Sequence, residues 1–218
     1  MDIERMLLWV EPLVDPGFVP TQFDDAASRG LLAAAGPRSG TDHARFLKRW
    51  NGAYARGGNL HWFGARPTPP NQSLDCWNRS DGWRQAFGMD LDGVFFFAET
   101  GFGDQFGYQH GKVVCLRASD LRVERCASNF AEWLEDVFLD PTRWLSSELF
   151  DACVALHGPL PQGGHFAPIQ PWTAGSPRSA PNMEVVPARD SMEMKGVGLM
   201  SSGRASRVGG SSPPVAKR

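Results

Sequence analysis

The chain has 218 residues, of which 42% are hydrophobic and 21% are charged, with a formal net charge of −2. This length and apolar content suffice for one domain with a sizeable core, and no apolar run approaches the ~18 residues of a membrane-spanning helix. The four cysteines lack CxxC spacing, which argues against a disulfide framework or a zinc site. We therefore expect a cytoplasmic protein, without a metal, that does not bind a membrane.

The charge is unevenly distributed along the chain. Residues 197–218 contain four basic side chains and no acidic one, whereas residues 1–196 contain 18 basic and 24 acidic side chains. An acidic body is a poor nucleic-acid binder but suits a basic protein partner. The last segment is rich in Gly, Ser and Pro, which predicts a disordered basic tail over 197–218 after a single domain over 1–196.

The N-terminal part of the chain is predicted to be helical. Before residue 90 the pattern indicates helices over 23–35 and 43–50, a short aromatic strand over 60–63 and a Pro-rich loop over 65–75. Gly36-Pro37 is expected to end the first helix, and Thr41 or Asp42 to cap the second.

A meander of three strands follows, over residues 94–116. The apolar run Val94–Ala98 suits a strand covered on both faces, and Gly101 to Asp104 predict a turn. Residues 104–109 then alternate between apolar and polar, His110-Gly111 is a short turn, and Lys112–Leu116 is rich in β-branched residues.

The remaining elements complete an α+β pattern. They are a strand over 122–126, a helix over 130–139 capped by Ser128, a helix over 147–156, Gly/Pro-rich connections over 158–182 and a strand over 183–186. Helices, a run of strands and further helices predict a central, mainly antiparallel sheet flanked by N-terminal and C-terminal helices.

The glycines of the meander do not form a nucleotide site. In Gly101-Phe102-Gly103-Asp104-Gln105-Phe106-Gly107 the third glycine comes one position too late for GxGxxG, and a strand follows where a helix is required. Gly101 and Gly103 are therefore assigned to a structural turn, in which Asp104 accepts backbone N–H groups. No cofactor is predicted.

Candidate chemistry is limited to one pair of carboxylates. Glu99 and Asp104 flank the turn and would serve a hydrolase only if they shared a cleft at roughly 5–10 Å. The five histidines lack metal-ligand spacing, and no nucleophile motif is present. We therefore predict no catalytic residue and no enzyme activity.

Several tryptophans are candidates for contacts with a partner. Trp62, Trp77 and Trp83 can form a binding surface, because aromatic side chains are enriched at interface hot spots. They fit a hydrophobic core as well, and for Trp77 and Trp83 the two interpretations carry equal weight.

Four segments together resemble the SMI1/KNR4 family of the SUKH superfamily, in the order of that family and over residues 40–140. They are FLKRWNGAY (Phe46–Tyr54), GGNLHWFG (Gly57–Gly64), FFFAETGFGDQFGYQHGKVVCL (Phe95–Leu116) and SNFAEWLEDVF (Ser128–Phe138). The resemblance implies an α+β fold and, for many bacterial members, an immunity protein that binds and neutralises a toxin. Other members are regulatory or scaffolding proteins.

The resulting hypothesis is a non-enzymatic immunity protein that occludes a cognate toxin, such as a nuclease or another secreted effector. Its expected contact residues are Trp62, Trp77, Trp83, Glu99 and Asp104. The alternatives are an intracellular regulatory adaptor and, third, a hydrolase that uses Glu99 and Asp104.

Overall fold

The computed structural model describes residues 3–15, 29–65, 72–87, 91, 93–172 and 175–201. Its helices are α1 (Ile3–Val10), α2 (Arg29–Arg49), α3 (Leu74–Trp77), α4 (Phe130–Leu139), α5 (Pro141–Leu145), α6 (Ser147–His157) and α7 (Ala188–Ser201). Its strands are β1 (Ala53–Ala55), β2 (Leu60–Trp62), β3 (Phe95–Thr100), β4 (Gln105–Gln109), β5 (Lys112–Leu116), β6 (Val123–Ala127), β7 (Gly164–Pro168) and β8 (Met183–Pro187).

The first six strands form one antiparallel sheet in chain order, β1 to β6. Helices flank this sheet, so the predicted α+β class is confirmed, and the predicted meander forms its central strands β3 to β5. Five of the six residues of β3 are buried, as expected for a strand covered on both faces. His110 and Gly111 both have positive φ, which is the geometry of a tight two-residue hairpin turn.

Of the smaller structure at the C-terminal end, the sequence predicted only the strand over 183–186, which corresponds to β8. Strand β7 lies within the stretch assigned to connections, and it pairs antiparallel with β8. Helix α7 follows directly and includes residues 197–201, which were assigned to the tail; residues 202–218 lie outside the described residues. Gly196 and Gly198 weaken the helical pattern of α7 in the sequence, because glycine is a poor helix former.

The N-terminal helices differ in detail from the prediction. Residues 23–28 lie outside the described residues, and α2 is two helical segments joined at Gly36, which has φ 74° and ψ 172°. The break at Gly36 is confirmed, but the second segment already begins at Pro37, a residue that suits a first helical turn. The Thr41 hydroxyl accordingly donates to the Pro37 carbonyl at 2.9 Å and does not cap the helix.

Helix α4 has the predicted bounds but a different cap. The Asn129 side chain accepts the backbone N–H of Glu132 at 3.0 Å, while the Glu132 carboxylate accepts the N–H of Ser128 at 3.1 Å. Asn129 is therefore the capping residue in place of Ser128, in a reciprocal arrangement similar to a capping box.

Aromatic rings fill the core between the sheet and helices α2 and α4. His43 of α2 is fully buried there, stacked on Phe130 with a centroid distance of 4.2 Å, and its Nδ1 is hydrogen-bonded to the Tyr108 hydroxyl at 2.9 Å. Burial lowers the pKa of His43 to about 3, because a charged imidazolium is unfavourable in apolar surroundings.

We predict that Gly196→Ala destabilises the protein by about 1–3 kcal/mol, because a Cβ there would lie 2.5 Å from the carbonyl carbon of Ala86. Gly198→Ala is the matched control in the same helix, since no atom lies within 4 Å of its added Cβ. The control is expected to stabilise by about 0.5–1 kcal/mol. Urea unfolding of both variants measures the difference, and equal free energies would contradict the close packing of α7.

We predict that His43 weakens the fold at acidic pH. In the unfolded chain His43 becomes protonated near pH 6.5, whereas in the folded chain it becomes protonated only near pH 3. The contribution of His43 to the free energy of unfolding is therefore at its maximum above pH 6.5. It falls by about 1.4 kcal/mol per pH unit below that. In His43→Gln, which keeps a polar partner for Tyr108, urea unfolding between pH 7 and 4 should show a shallower slope. The exposed control His110→Asn should keep the wild-type slope.

Candidate functional site

The most unusual polar feature of the molecule is a buried carboxylate surrounded by four nitrogen atoms. Oxygen Oε1 of Glu99 accepts from His61 Nδ1 at 3.1 Å and from Gln72 Nε2 at 2.9 Å. Oxygen Oε2 accepts from Gln105 Nε2 at 3.0 Å and lies 3.2 Å from His165 Nε2. We call these five residues the Glu99 cluster. All five are at most 3% exposed.

The elements of both sheets bring the cluster together. His61 on β2 is the cross-strand partner of Glu99 on β3, and Glu99 in turn is paired with Gln105 on β4. Side chains directly opposite each other in a sheet lie close enough to interact. His165 comes from β7, so the cluster joins the large sheet to the small one.

Neighbouring groups fix the orientation of the cluster. The Trp77 indole N–H donates to Gln105 Oε1 at 2.7 Å, which turns the amide NH₂ of Gln105 toward Glu99. The Tyr54 ring stacks on His61 with an interplanar angle of 1°, and its hydroxyl donates to Gln72 Oε1 at 3.4 Å. Burial raises the pKa of Tyr54, and the nearby Glu99 charge adds to this effect.

The electrostatics of the cluster favour an ionised carboxylate. Burial by itself raises the pKa of Glu99, but His165 and His61 outweigh it and hold the pKa below its usual range. Burial lowers the pKa of His165, against the opposing effect of Glu99. Since each oxygen of Glu99 is already in contact with two nitrogen atoms, the arrangement suits a structural cross-link better than proton transfer to a substrate.

The turn between β3 and β4 has the predicted position but different hydrogen bonds. Gly103 has φ 87°, while Gly101 is required because a Cβ there would lie 2.6 Å from the ring of Phe150. The Thr100 hydroxyl, and not Asp104, accepts the backbone N–H groups inside the turn. Asp104 instead accepts the N–H of Ala118 at 2.7 Å and pairs with Arg117 at 3.4 Å.

Different partners hold the two carboxylates that a hydrolase would use. Glu99 belongs to the buried cluster, whereas Asp104 is bound to the connection between β5 and β6. A shared Glu99–Asp104 catalytic cleft stays a prediction, which these contacts do not favour.

The three predicted tryptophan contacts lie in the interior. Trp62, Trp77 and Trp83 are 0%, 3% and 2% exposed, and the Trp83 indole donates to the Trp77 carbonyl at 3.0 Å. Glu99 is equally buried, and the Asp104 side chain is only 14% exposed. The interpretation of the tryptophans as core is the one that fits, because a buried ring cannot contact a partner without rearrangement of the fold.

The solvent side of α4 carries a different group of side chains. Residues at helical spacing point away from the core and form what we call the α4 acidic face: Glu132, Glu135, Asp136 and Leu139. Burial, and then the like charges of Glu132 and Glu135, raise the pKa of Asp136, although Arg143 opposes them. Leu139 is 61% exposed at the end of this face.

A cavity of about 240 Å³ lies beside α7, which we call the α7 groove. It is bounded by α7, by the chain around β7 and β8, and by the connection between β5 and β6. Its lining is mainly apolar and includes Leu121, Pro168, Ile169, Trp172 and Met194, together with Ser191, Lys195 and the exposed acids Asp120 and Glu184.

The groove adjoins the Glu99 cluster at Gly103. A Cβ on this glycine would lie 2.6 Å from Lys195 Nζ and 3.0 Å from His165 Nδ1. Lys195 donates to the Phe102 carbonyl at 2.6 Å and to the Ser191 hydroxyl at 2.9 Å. Burial lowers the pKa of Lys195 to about 8, against the raising effect of Asp104 and Glu99.

Sequence reasoning found Glu99 but none of its partners, because their spacing of up to 66 residues forms no motif. Within the described residues, no group of three or more His, Cys, Asp or Glu side chains is arranged to hold a metal ion. In the same part of the chain, no helix combines the length and apolar character that crossing a membrane requires.

Comparison with known proteins supports the fold alone. No protein-family model matches the chain, and no curated protein matches it either, so the resemblance to the SMI1/KNR4 family stays a prediction. The chain is similar to the crystal structure of Atu4351 from Agrobacterium tumefaciens, with a TM-score of 0.58 and 12% identity over 87% of each chain.

We predict that Glu99→Gln lowers the free energy of unfolding by about 2–4 kcal/mol, because an amide NH₂ would face donor groups that now meet a carboxylate. Glu124→Gln is the control, since Glu124 also pairs with a basic side chain but is 53% exposed. The control should change stability by less than about 0.5 kcal/mol. Urea unfolding at pH 7 measures both, and a neutral effect of Glu99→Gln would rule out the cross-link.

Proposed function

We propose that this protein is a non-enzymatic binding protein that neutralises a basic bacterial toxin by occluding it, as an immunity protein of the SMI1/KNR4 type. The observation that carries this proposal is the α4 acidic face, where three carboxylates precede an exposed leucine on one side of a helix. The resemblance of residues 40–140 to that family adds to it.

Electrostatic attraction would bring the two proteins together. Burial raises the pKa of Asp136, and the like charges of Glu132 and Glu135 add to this effect, whereas Arg143 opposes it. A basic partner would relieve this repulsion, and complementary charge accelerates association by about 10- to 1000-fold.

Leu139 would supply an apolar contact at the C-terminal end of this face. Leu139 has 61% of its surface exposed. Covering it with a partner favours binding by about 25 cal/mol for each Å² of apolar surface removed from water. Charged side chains beside such an anchor determine specificity and the association rate more than the affinity. The α4 acidic face thus replaces the buried tryptophans as the proposed contact region.

The proposal predicts that the toxin encoded by the adjacent gene is inhibited by stoichiometric amounts of this protein. Glu135→Lys/Asp136→Lys should slow association at least about tenfold at low ionic strength, and added salt should reduce the difference. Leu139→Ala should accelerate dissociation at least about fivefold with little change in association. Surface plasmon resonance and rescue of toxin-expressing cells measure these effects.

Glu148→Lys/Asp151→Lys on α6 is the matched control, because it makes the same change of charge at two exposed positions of another helix. It should retain wild-type binding. Full toxin activity in an excess of the wild-type protein would overturn the proposal. Recovery of a stable partner that is not toxic would instead favour the regulatory adaptor.

A further inference from the structure

A half-buried lysine lies at the α7 groove. Lys195 lines the groove, and its Nζ is held by two neutral acceptors, the Phe102 carbonyl and the Ser191 hydroxyl. Among the described residues it forms no ion pair with a carboxylate. A cation that is removed from water without a counter-ion loses its proton more easily than an exposed lysine.

The surroundings of this amine shift it toward the neutral form, although the charged form still predominates near pH 7. Glu99 of β3 and Asp104 of the following turn favour the charged form, while burial opposes it more strongly. The His165 ring of β7 also faces the amine across Gly103. With its pKa lowered to about 8, roughly a tenth to a quarter of Lys195 is the free amine near neutral pH, about two to three hundred times more than for an ordinary lysine.

We propose that Lys195 is a carbonyl-binding site, at which Nζ condenses reversibly with a small, uncharged, apolar aldehyde or ketone held in the α7 groove. The amine lone pair attacks the carbonyl carbon to form a carbinolamine. Loss of the carbonyl oxygen as water then leaves a C=N bond to Nζ, so no oxidant or reductant is needed. A lysine whose amine is partly removed from water beside a mainly apolar cavity is suited to this chemistry.

The lining of the groove determines the class of ligand. A cavity of 150 Å³ can hold benzene, so about 240 Å³ accommodates an aromatic ring with a short substituent. Leu121, Ile169 and Met194 offer apolar contacts for such a ring. This binding does not depend on the proposed interaction with a toxin, which lies on α4.

Reductive trapping tests the proposal directly. The full-length protein is incubated at pH 7.5 with benzaldehyde and sodium cyanoborohydride, and peptide mass spectrometry then locates the benzylated lysines. We expect Lys195 to be modified at least about tenfold faster than the exposed Lys112, which serves as the internal control. Glyoxylate, which has no apolar group for the groove to hold, is expected to show no such preference.

Two variants distinguish the contribution of the amine from the contribution of the groove. Lys195→Arg keeps the charge but cannot form an imine, so the selective adduct should disappear. Met194→Trp should fill the groove and reduce the rate at Lys195 to that at Lys112, with circular dichroism confirming the fold. Equal modification of Lys195 and Lys112 in the wild-type protein, or an unchanged rate in Met194→Trp, would overturn the proposal.

Discussion

Glu99 makes the contacts on which the arrangement of the two sheets depends. Its carboxylate is in contact with His61 of β2 and Gln105 of β4 within the large sheet, and with His165 of β7 in the small sheet. A buried charge is tolerated only when its partners replace the lost water, and here they come from distant parts of the chain. The position of the β7–β8 hairpin is thereby coupled to the register of the central strands.

The same coupling extends to α7. Gln105 contacts the Met192 sulfur at 3.8 Å, and Lys195 reaches back to the Phe102 carbonyl in the turn that follows Glu99. The close approach of Gly196 to Ala86 fixes the other side of the helix. The α7 groove is therefore bounded by parts of the chain that the Glu99 cluster and its neighbours hold in place, and its shape depends on them.

The elements that were predicted from the sequence are those whose pattern is local. Strand β5 and helix α4 were assigned with the bounds of the structure, because alternation and helical spacing are properties of short windows. Strand β7 was missed, since its five residues include Gly164 and Pro168 and show no alternation. The Glu99 cluster was missed for another reason. Its members come together only through strand pairing and the packing of β7, and no spacing in the sequence indicates these contacts.

Burial separates the roles of the polar residues more clearly than their chemical type does. Glu99 and Glu135 are both glutamates, but the first is enclosed by nitrogen atoms and the second lies on the solvent side of α4. Lys195 differs from Lys112 in the same way, because only Lys195 has exchanged water for protein acceptors. A polar group that is enclosed by the fold stabilises it, whereas one at the surface or beside a cavity can also be reached by a ligand. By this criterion Glu99 belongs to the architecture, and the α4 acidic face and Lys195 are the places where binding is to be sought.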